Sequence, residues 1–338
     1  MQVIFWQGGK KFEPGEHKKP VPAAGQVLIE VGAASICSTD FHYDDFGCIP
    51  PIVPGHEVAG TVIELGDKVD SVDIGQRVTV DPVQHCGKCP MCTSGIPHLC
   101  ATPRHLGDTD VPGGWAEYMT IDATNTYKVP DNVSLTEAAL TEPTAVCLES
   151  FKRANFESGQ TVLVLGDGVF GCIHAMIAKV KGAKNIIVAG HHDERLKRIV
   201  EATGAIACNT HNQDLEKILK DVIGPFGADL AIEATGATEV PNIGLMSLRP
   251  RGTLVIFSLV WHPEILNLGL LNMKELNVLG ACRSLDCFST CVEMMASGQL
   301  DVKSLVDIEV PLGEFDRAVK ELRENRKSIF KAVLHPGQ

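Results

Sequence analysis

The chain has 338 residues and a mass of 36.4 kDa, more than one hydrophobic core usually supports, so two domains are expected. Its 42 acidic and 30 basic residues give a net charge of −12, which argues against a nucleic-acid backbone or an anionic membrane as the main partner. With 44% hydrophobic and 21% charged residues the composition is that of an ordinary soluble globule; no apolar run approaches the ~18 residues of a membrane span, and the opening MQVIFWQGGKKF lacks the ordered regions of a signal peptide, so the cytoplasm is the expected compartment.

Through residues 1–140, the runs QVLIEVGAAS, AGTVIELG, QRVTVDPV and AEYMTIDATNTYKVP, separated by Gly and Pro, predict a β-rich, partly barrel-like region. The stretch SLTEAALTEPTAVCLESFKRA is helical in composition. From TVLVLGDG onward the texture changes to apolar strand, glycine turn and helix in repeated βαβ units, continuing through NIIVAG, ADLAIEATG and GTLVIFSL. Such short apolar strands fit a parallel sheet covered by helices on both faces. Beyond LNVLGACRS the sequence predicts two helices, CFSTCVEMMASGQ and EFDRAVKELREN, and a last strand, SIFKAVLHP.

Four cysteines, Cys86, Cys89, Cys92 and Cys100, stand at CxxCxxC followed by a seven-residue gap and a last cysteine. Thiolates are soft zinc ligands, and two-residue gaps let a turning backbone aim several sulfurs at one point, with Gly87 and Gly95 supplying the bends. A structural zinc lobe over residues 84–102 is expected. Four sulfurs leave no position for a substrate, so catalysis is sought elsewhere. A disulfide pair is the competing reading, disfavoured by the scattered cysteines elsewhere and the expected reducing compartment.

The segment from Val162 to Gly171 places GxGxxG directly after a strand and before a helix, the arrangement that binds a dinucleotide. Gly166 permits the tight turn, Gly168 lets the backbone approach a pyrophosphate, and Gly171 allows close packing of helix on strand, with Val169 and Phe170 between them at the cofactor. An acid at the end of the second strand ordinarily takes the ribose 2′-hydroxyl and marks NAD; here that place is Gly190, followed by His191, His192 and Arg195. NADP is therefore the expected preference, with NAD also allowed. Two readings stay open for His191 and Arg195, as partners of a 2′-phosphate or as surface residues, and Asp193 or Glu194 could instead turn to the ribose.

A second set of metal-ligand residue types, Cys37, His56, Glu57 and Glu142, is dispersed, and spacing alone does not assemble it. The succession CSTDFHY, PGHE, CGKCPMCTSGIPHLC, GGWAEY, EP and GxGxxG, spread over nearly the full length, resembles the zinc-dependent medium-chain dehydrogenase/reductase family, especially its sorbitol and threonine dehydrogenase branch. The resemblance implies an α/β chain with a GroES-like catalytic domain from residues 1–145 and 284–338 and a Rossmann domain, a doubly wound parallel sheet, from 146–283. It implies two zincs per chain, the catalytic one held by Cys37 and His56 with Glu57 and Glu142 as ligands or near-ligands. Glu142 before Pro143 matches polyol dehydrogenases rather than classical alcohol dehydrogenases, where a cysteine stands there.

By the same resemblance Thr39 and His42 occupy proton-relay positions, with a hydrogen-bonded loop residue the other reading of His42; Tyr43 and Trp115 belong to the substrate pocket, with packing the other reading of Tyr43; and Thr235 and Arg283 lie near the cofactor. Trp261 either lines the nicotinamide side of the cleft or packs between subunits. Ser284 stands where polyol enzymes often carry tyrosine, so the hydroxyl-binding pattern of a sorbitol enzyme is incomplete. The implied activity is hydride transfer between NAD(P) and a small-molecule secondary alcohol or polyol, or reduction of the matching ketone, in a homodimer or homotetramer. The alternatives are an L-threonine-type amino-alcohol dehydrogenase and a non-catalytic nucleotide-binding relative.

Overall fold

The computed structural model describes residues 1–259 and 265–337, and the chain divides into two compact units. The first comprises Met1–Pro143, Leu285–Arg326 and Lys331–Gln338; the second comprises Thr144–Ser284 and Lys327–Phe330. The sequence assigned 327–330 to the first unit with the rest of the tail, whereas in the structure these residues belong to the second. Ser328 and Ile329 offer their carbonyls to Arg198 and Arg195, both of the second unit.

The first unit is built on a seven-stranded sheet. Its order is Val306–Pro311, Lys331–His335, Gln26–Ser35, Glu57–Leu65, Arg77–Val80 and Thr126–Lys128, with Tyr118–Asp122 also paired to Gln26–Ser35. The central strand Gln26–Ser35 is apolar and almost wholly buried, and it shifts register twice against Glu57–Leu65, which lets a long strand curve as a barrel-like sheet requires. That register sets Ser35 opposite Glu57, while the C-terminal strand sets Leu334 opposite Ala34 and Val333 opposite Ser35. The strand Val306–Pro311 was not foreseen, although VDIEVP alternates: Ile308 and Val310 are buried while Asp307 and Glu309 face out. The helical stretch after Ser134 is two helices, Leu135–Ala139 and Thr141–Arg153, the first started by a reciprocal cap between Ser134 and Glu137.

The second unit is a six-stranded parallel sheet: β1 (Thr161–Leu165), β2 (Asn185–Gly190), β3 (Ile206–Asn209), β4 (Ala228–Glu233), β5 (Leu248–Ile256) and β6 (Asn277–Gly280). Their order across the sheet is β3-β2-β1-β4-β5-β6, the doubly wound arrangement expected from the sequence. Every residue of β1 is buried, because helices cover both faces; α1 (Val169–Val180) and α2 (Asp193–Thr203) follow β1 and β2. Parallel register aligns Leu165 with Ala189 on one side and Glu233 on the other. The chain reverses its direction of winding between β1 and β4, and there the glycine turn emerges.

Candidate active site and metal centres

In the cysteine lobe the Sγ atoms of Cys86 and Cys92 are 3.9 Å apart, those of Cys89 and Cys92 3.4 Å, and those of Cys89 and Cys100 3.9 Å. Zinc–sulfur bonds of ~2.3 Å in a tetrahedron place sulfurs ~3.8 Å apart, so the donor set fits zinc. No disulfide joins any of the described cysteines. Backbone N–H groups of Cys86 and Thr102 point at Cys100 Sγ and that of Ala101 at Cys89 Sγ, which favours thiolates. The N–H groups of Lys88 and Cys89 bring the Cys86 thiol down to about 6. Gly87 and Gly95 make the two bends with left-handed φ of 70° and 83°.

The second set converges in the first unit. Donor atoms of Cys37, His56 and Glu57 all lie within 4.8 Å of one another. Cys37 ends the loop after the central strand and starts the 3-10 turn Ser38–Phe41; His56 and Glu57 sit where the neighbouring strand begins. Buried Asp40 organises the group: it accepts the Cys37 N–H at 2.9 Å and the Tyr43 hydroxyl at 3.3 Å and stands 3.2 Å from His56 Nδ1. A carboxylate behind a ligating imidazole fixes its orientation and leaves the other nitrogen for a metal. Burial disfavours charge on His56, but Asp40 and Cys37 outweigh it and raise its pKa well above the ordinary value.

Behind Glu57 stands Lys331. Its ammonium donates to Glu57 Oε1 at 2.6 Å, also to Oε2, and to the Ile36 carbonyl at 3.1 Å, and the Ser35 hydroxyl donates to Glu57 as well. Glu57 thus joins the donor cluster while both of its carboxylate oxygens also accept from Lys331. Glu142, second residue of its helix, is outside the three-residue cluster but feels His56, Glu57 and Lys331. Loss of water around it pushes its carboxyl up to about 8. Sequence reasoning missed Asp40 and Lys331. Asp40 had a signal, three residues after Cys37 in a turn; Lys331, 274 residues from Glu57, had none.

Thr39 Oγ1 donates to Cys37 Sγ at 3.1 Å, and His42 is exposed with Nδ1 2.8 Å from Asp45 Oδ2. The two aromatic residues expected in the substrate pocket are core residues. Tyr43 packs with Trp6 and Ile52 at 8% exposure, and Trp115, at 0%, is enclosed by Phe12, Phe315 and Gly55, so neither ring forms a solvent-reached wall. Cys147, five residues after Glu142, is fully buried. Trp261 lies outside the described residues.

In the second unit the glycine turn has the shape a dinucleotide requires. Gly166 has φ +132°, and a Cβ on Gly171 would stand 2.0 Å from the Gly166 carbonyl oxygen, so helix and strand approach as only glycine allows. A Cβ on Gly168 would meet no protein atom within 4 Å, and Val169 and Phe170 open α1 there. Thr235 folds back on Glu233 through its N–H and hydroxyl, both 2.6 Å from Oε1. Arg283 is half-buried with left-handed φ just after β6. At the end of β2, Gly190 carries no acid, and His191 is exposed beside Thr210 and His211. Arg195, for which a phosphate partner and a surface position were both open, donates to the Ile329 carbonyl at 2.7 Å and lies against Phe330. The carboxylate that does reach this strand end comes from Asp167, a residue the sequence reading passed over.

Residues 23–131 match the model of the alcohol dehydrogenase GroES-like domain, and residues 170–297 that of the zinc-binding dehydrogenase. Sorbitol dehydrogenase from Bacillus subtilis is 30% identical over 94% of this chain and 93% of its own length. Among solved structures, a short chain alcohol dehydrogenase from Escherichia coli complexed with NADH is 28% identical with TM-score 0.93, covering 99% of both chains. A zinc-binding dehydrogenase from Sinorhizobium meliloti bound to NADP is 25% identical with TM-score 0.92, again over 99% of each chain. The chain belongs to the zinc-dependent medium-chain dehydrogenase/reductase family, in its sorbitol-dehydrogenase-like branch. It is accordingly an NAD(P)-dependent oxidoreductase of alcohols.

Proposed function

We propose that this chain interconverts a small secondary alcohol or polyol and its ketone with NADP as the preferred cofactor, using Cys37, His56 and an adjacent glutamate to hold a catalytic zinc. The observation that carries this reading is the convergence of Cys37, His56 and Glu57 within 4.8 Å, with Asp40 behind the imidazole. Glu142 is the alternative carboxylate, close enough to be felt by His56. Zinc, when bound, supplies Lewis acidity at the substrate oxygen, and the dinucleotide supplies the hydride acceptor or donor.

The chain's own residues do the rest. Thr39, its hydroxyl beside Cys37, takes the proton of the substrate hydroxyl, and His42 carries it to water; Asp45 on Nδ1 leaves Nε2 as the proton-accepting nitrogen. The glycine turn at Gly166, Gly168 and Gly171 binds the pyrophosphate at the start of α1. The lobe of Cys86, Cys89, Cys92 and Cys100 holds a second, structural zinc. The cytoplasm and a homo-oligomeric assembly complete the reading.

Metal analysis tests it. Two zincs per chain are expected, falling to one in Cys37→Ser, which loses turnover but keeps its fold, and to one in Cys100→Ser, which loses fold stability. One zinc in the wild type, untouched by Cys37→Ser, would refute the catalytic centre and favour a nucleotide-binding relative without turnover.

A further inference from the structure

The end of β2 has no acid of its own, yet a carboxylate is there. Asp167, between the first two glycines of the turn, is 6% exposed. Its Oδ2 accepts the backbone N–H groups of His191 at 2.7 Å and His192 at 2.6 Å. His192 Nδ1 lies 3.1 Å from both carboxylate oxygens. A Cβ on Gly190 would stand 2.4 Å from Asp167 Cβ and 2.5 Å from its carboxyl carbon. The two positions therefore compete for one space: a side chain at 190 and the Asp167 side chain cannot both be present.

We propose that Asp167 determines cofactor specificity by occupying the place of the strand-end acid while turning its charge inward. This inference rests on the NADP reading above. An aspartate rooted at position 190 would present free oxygens to a ribose and repel a 2′-phosphate. Asp167 fills that volume from below, and two N–H groups and an imidazole engage its carboxylate, with both N–H groups on Oδ2. Of the other nearby acids, Asp193 accepts the Asn209 amide at 2.6 Å, and Glu194 is exposed on α2. What the strand end offers outward is His191, whose Nδ1 is 3.1 Å from Thr210 Oγ1 and whose ring is 4.4 Å from that of His211. Imidazoles and a hydroxyl suit a phosphate monoester.

Calorimetric titration with 2′,5′-ADP and 5′-AMP, which differ only in the 2′-phosphate, tests the idea without turnover. The wild type is expected to bind 2′,5′-ADP at least about tenfold more tightly. Gly190→Asp alone is expected to lower the unfolding midpoint, because two carboxylates collide. Combined with Asp167→Gly it recovers stability and loses the preference for 2′,5′-ADP. A wild-type preference that survives unchanged in the double variant, or a Gly190→Asp protein as stable as the wild type, overturns the role of Asp167 alone. Equal binding of both probes by the wild type overturns the NADP reading, and with it selection by Asp167.

Discussion

Lys331 and Glu57 form an ion pair in which the lysine side chain is 2% exposed and the glutamate 0%, although 274 residues separate them in the chain. One member of the pair, Glu57, is itself among the candidate zinc ligands. Burial lowers the Lys331 pKa, but the Glu57 charge more than offsets it, and the net direction is upward, so the lysine stays cationic. Removing one partner leaves the other charged and buried, which costs about 3–5 kcal/mol. Lys331→Met is expected to destabilise the protein by roughly that amount in urea unfolding at pH 7, and Lys331→Met with Glu57→Gln to recover most of it. A Lys331→Met protein as stable as the wild type would show that Glu57 is neutral or otherwise compensated.

The pairing of His42 with Asp45 yields a kinetic prediction. His42→Ala removes the outer group of the proposed proton path and is expected to lower kcat by about a hundredfold or more while leaving cofactor affinity unchanged. Asp45→Asn only loosens the ring. Both partners are more than half exposed, so its loss is expected on the order of fivefold or less, the rate equivalent of about 1 kcal/mol. Steady-state rates and cofactor titrations on the two variants check this. A His42→Ala enzyme within twofold of the wild type would remove His42 from the mechanism.

His174 makes stability depend on pH. It is fully buried in the second unit, with Nδ1 bonded to the Phe170 carbonyl and Nε2 to the Ser150 hydroxyl, and burial brings its pKa from 6.5 down to about 4. Above 6.5 folded and unfolded chains are both neutral at this residue, and its contribution is complete. Between 6.5 and about 4 the unfolded chain takes up a proton that the folded chain refuses, so stability falls across that window by up to about 3 kcal/mol. Urea midpoints at pH 7.5 and 5 should therefore draw together in His174→Asn. An unchanged pH dependence in that variant would assign the acid sensitivity to other groups.

The expectations that came through best are those whose residues are close in sequence. Cys86, Cys89, Cys92 and Cys100 meet because a sequence separation of 14 with two glycine bends keeps the four sulfurs together, and GxGxxG turns where the strand before it ends. For Tyr43 and Trp115 the sequence is less informative, because position beside a site residue does not fix which side of a turn an aromatic ring takes, and both rings have apolar partners in the core. Arg195, whose role the sequence left open, depends on the fold in the same way. It begins on α2 near the cofactor strand, but its long side chain reaches the 327–330 segment.

From its own residues the chain determined a doubly wound sheet, a four-sulfur lobe and a phosphate turn, since period, spacing and glycine placement act over short stretches of backbone. The tertiary structure alone decided that Lys331 would stand behind Glu57, that Asp40 would orient His56, and that Asp167 would fill the space above Gly190. Those contacts depend on which strands pair and in what register, a choice made by the burial of the whole core rather than by any local run of residues.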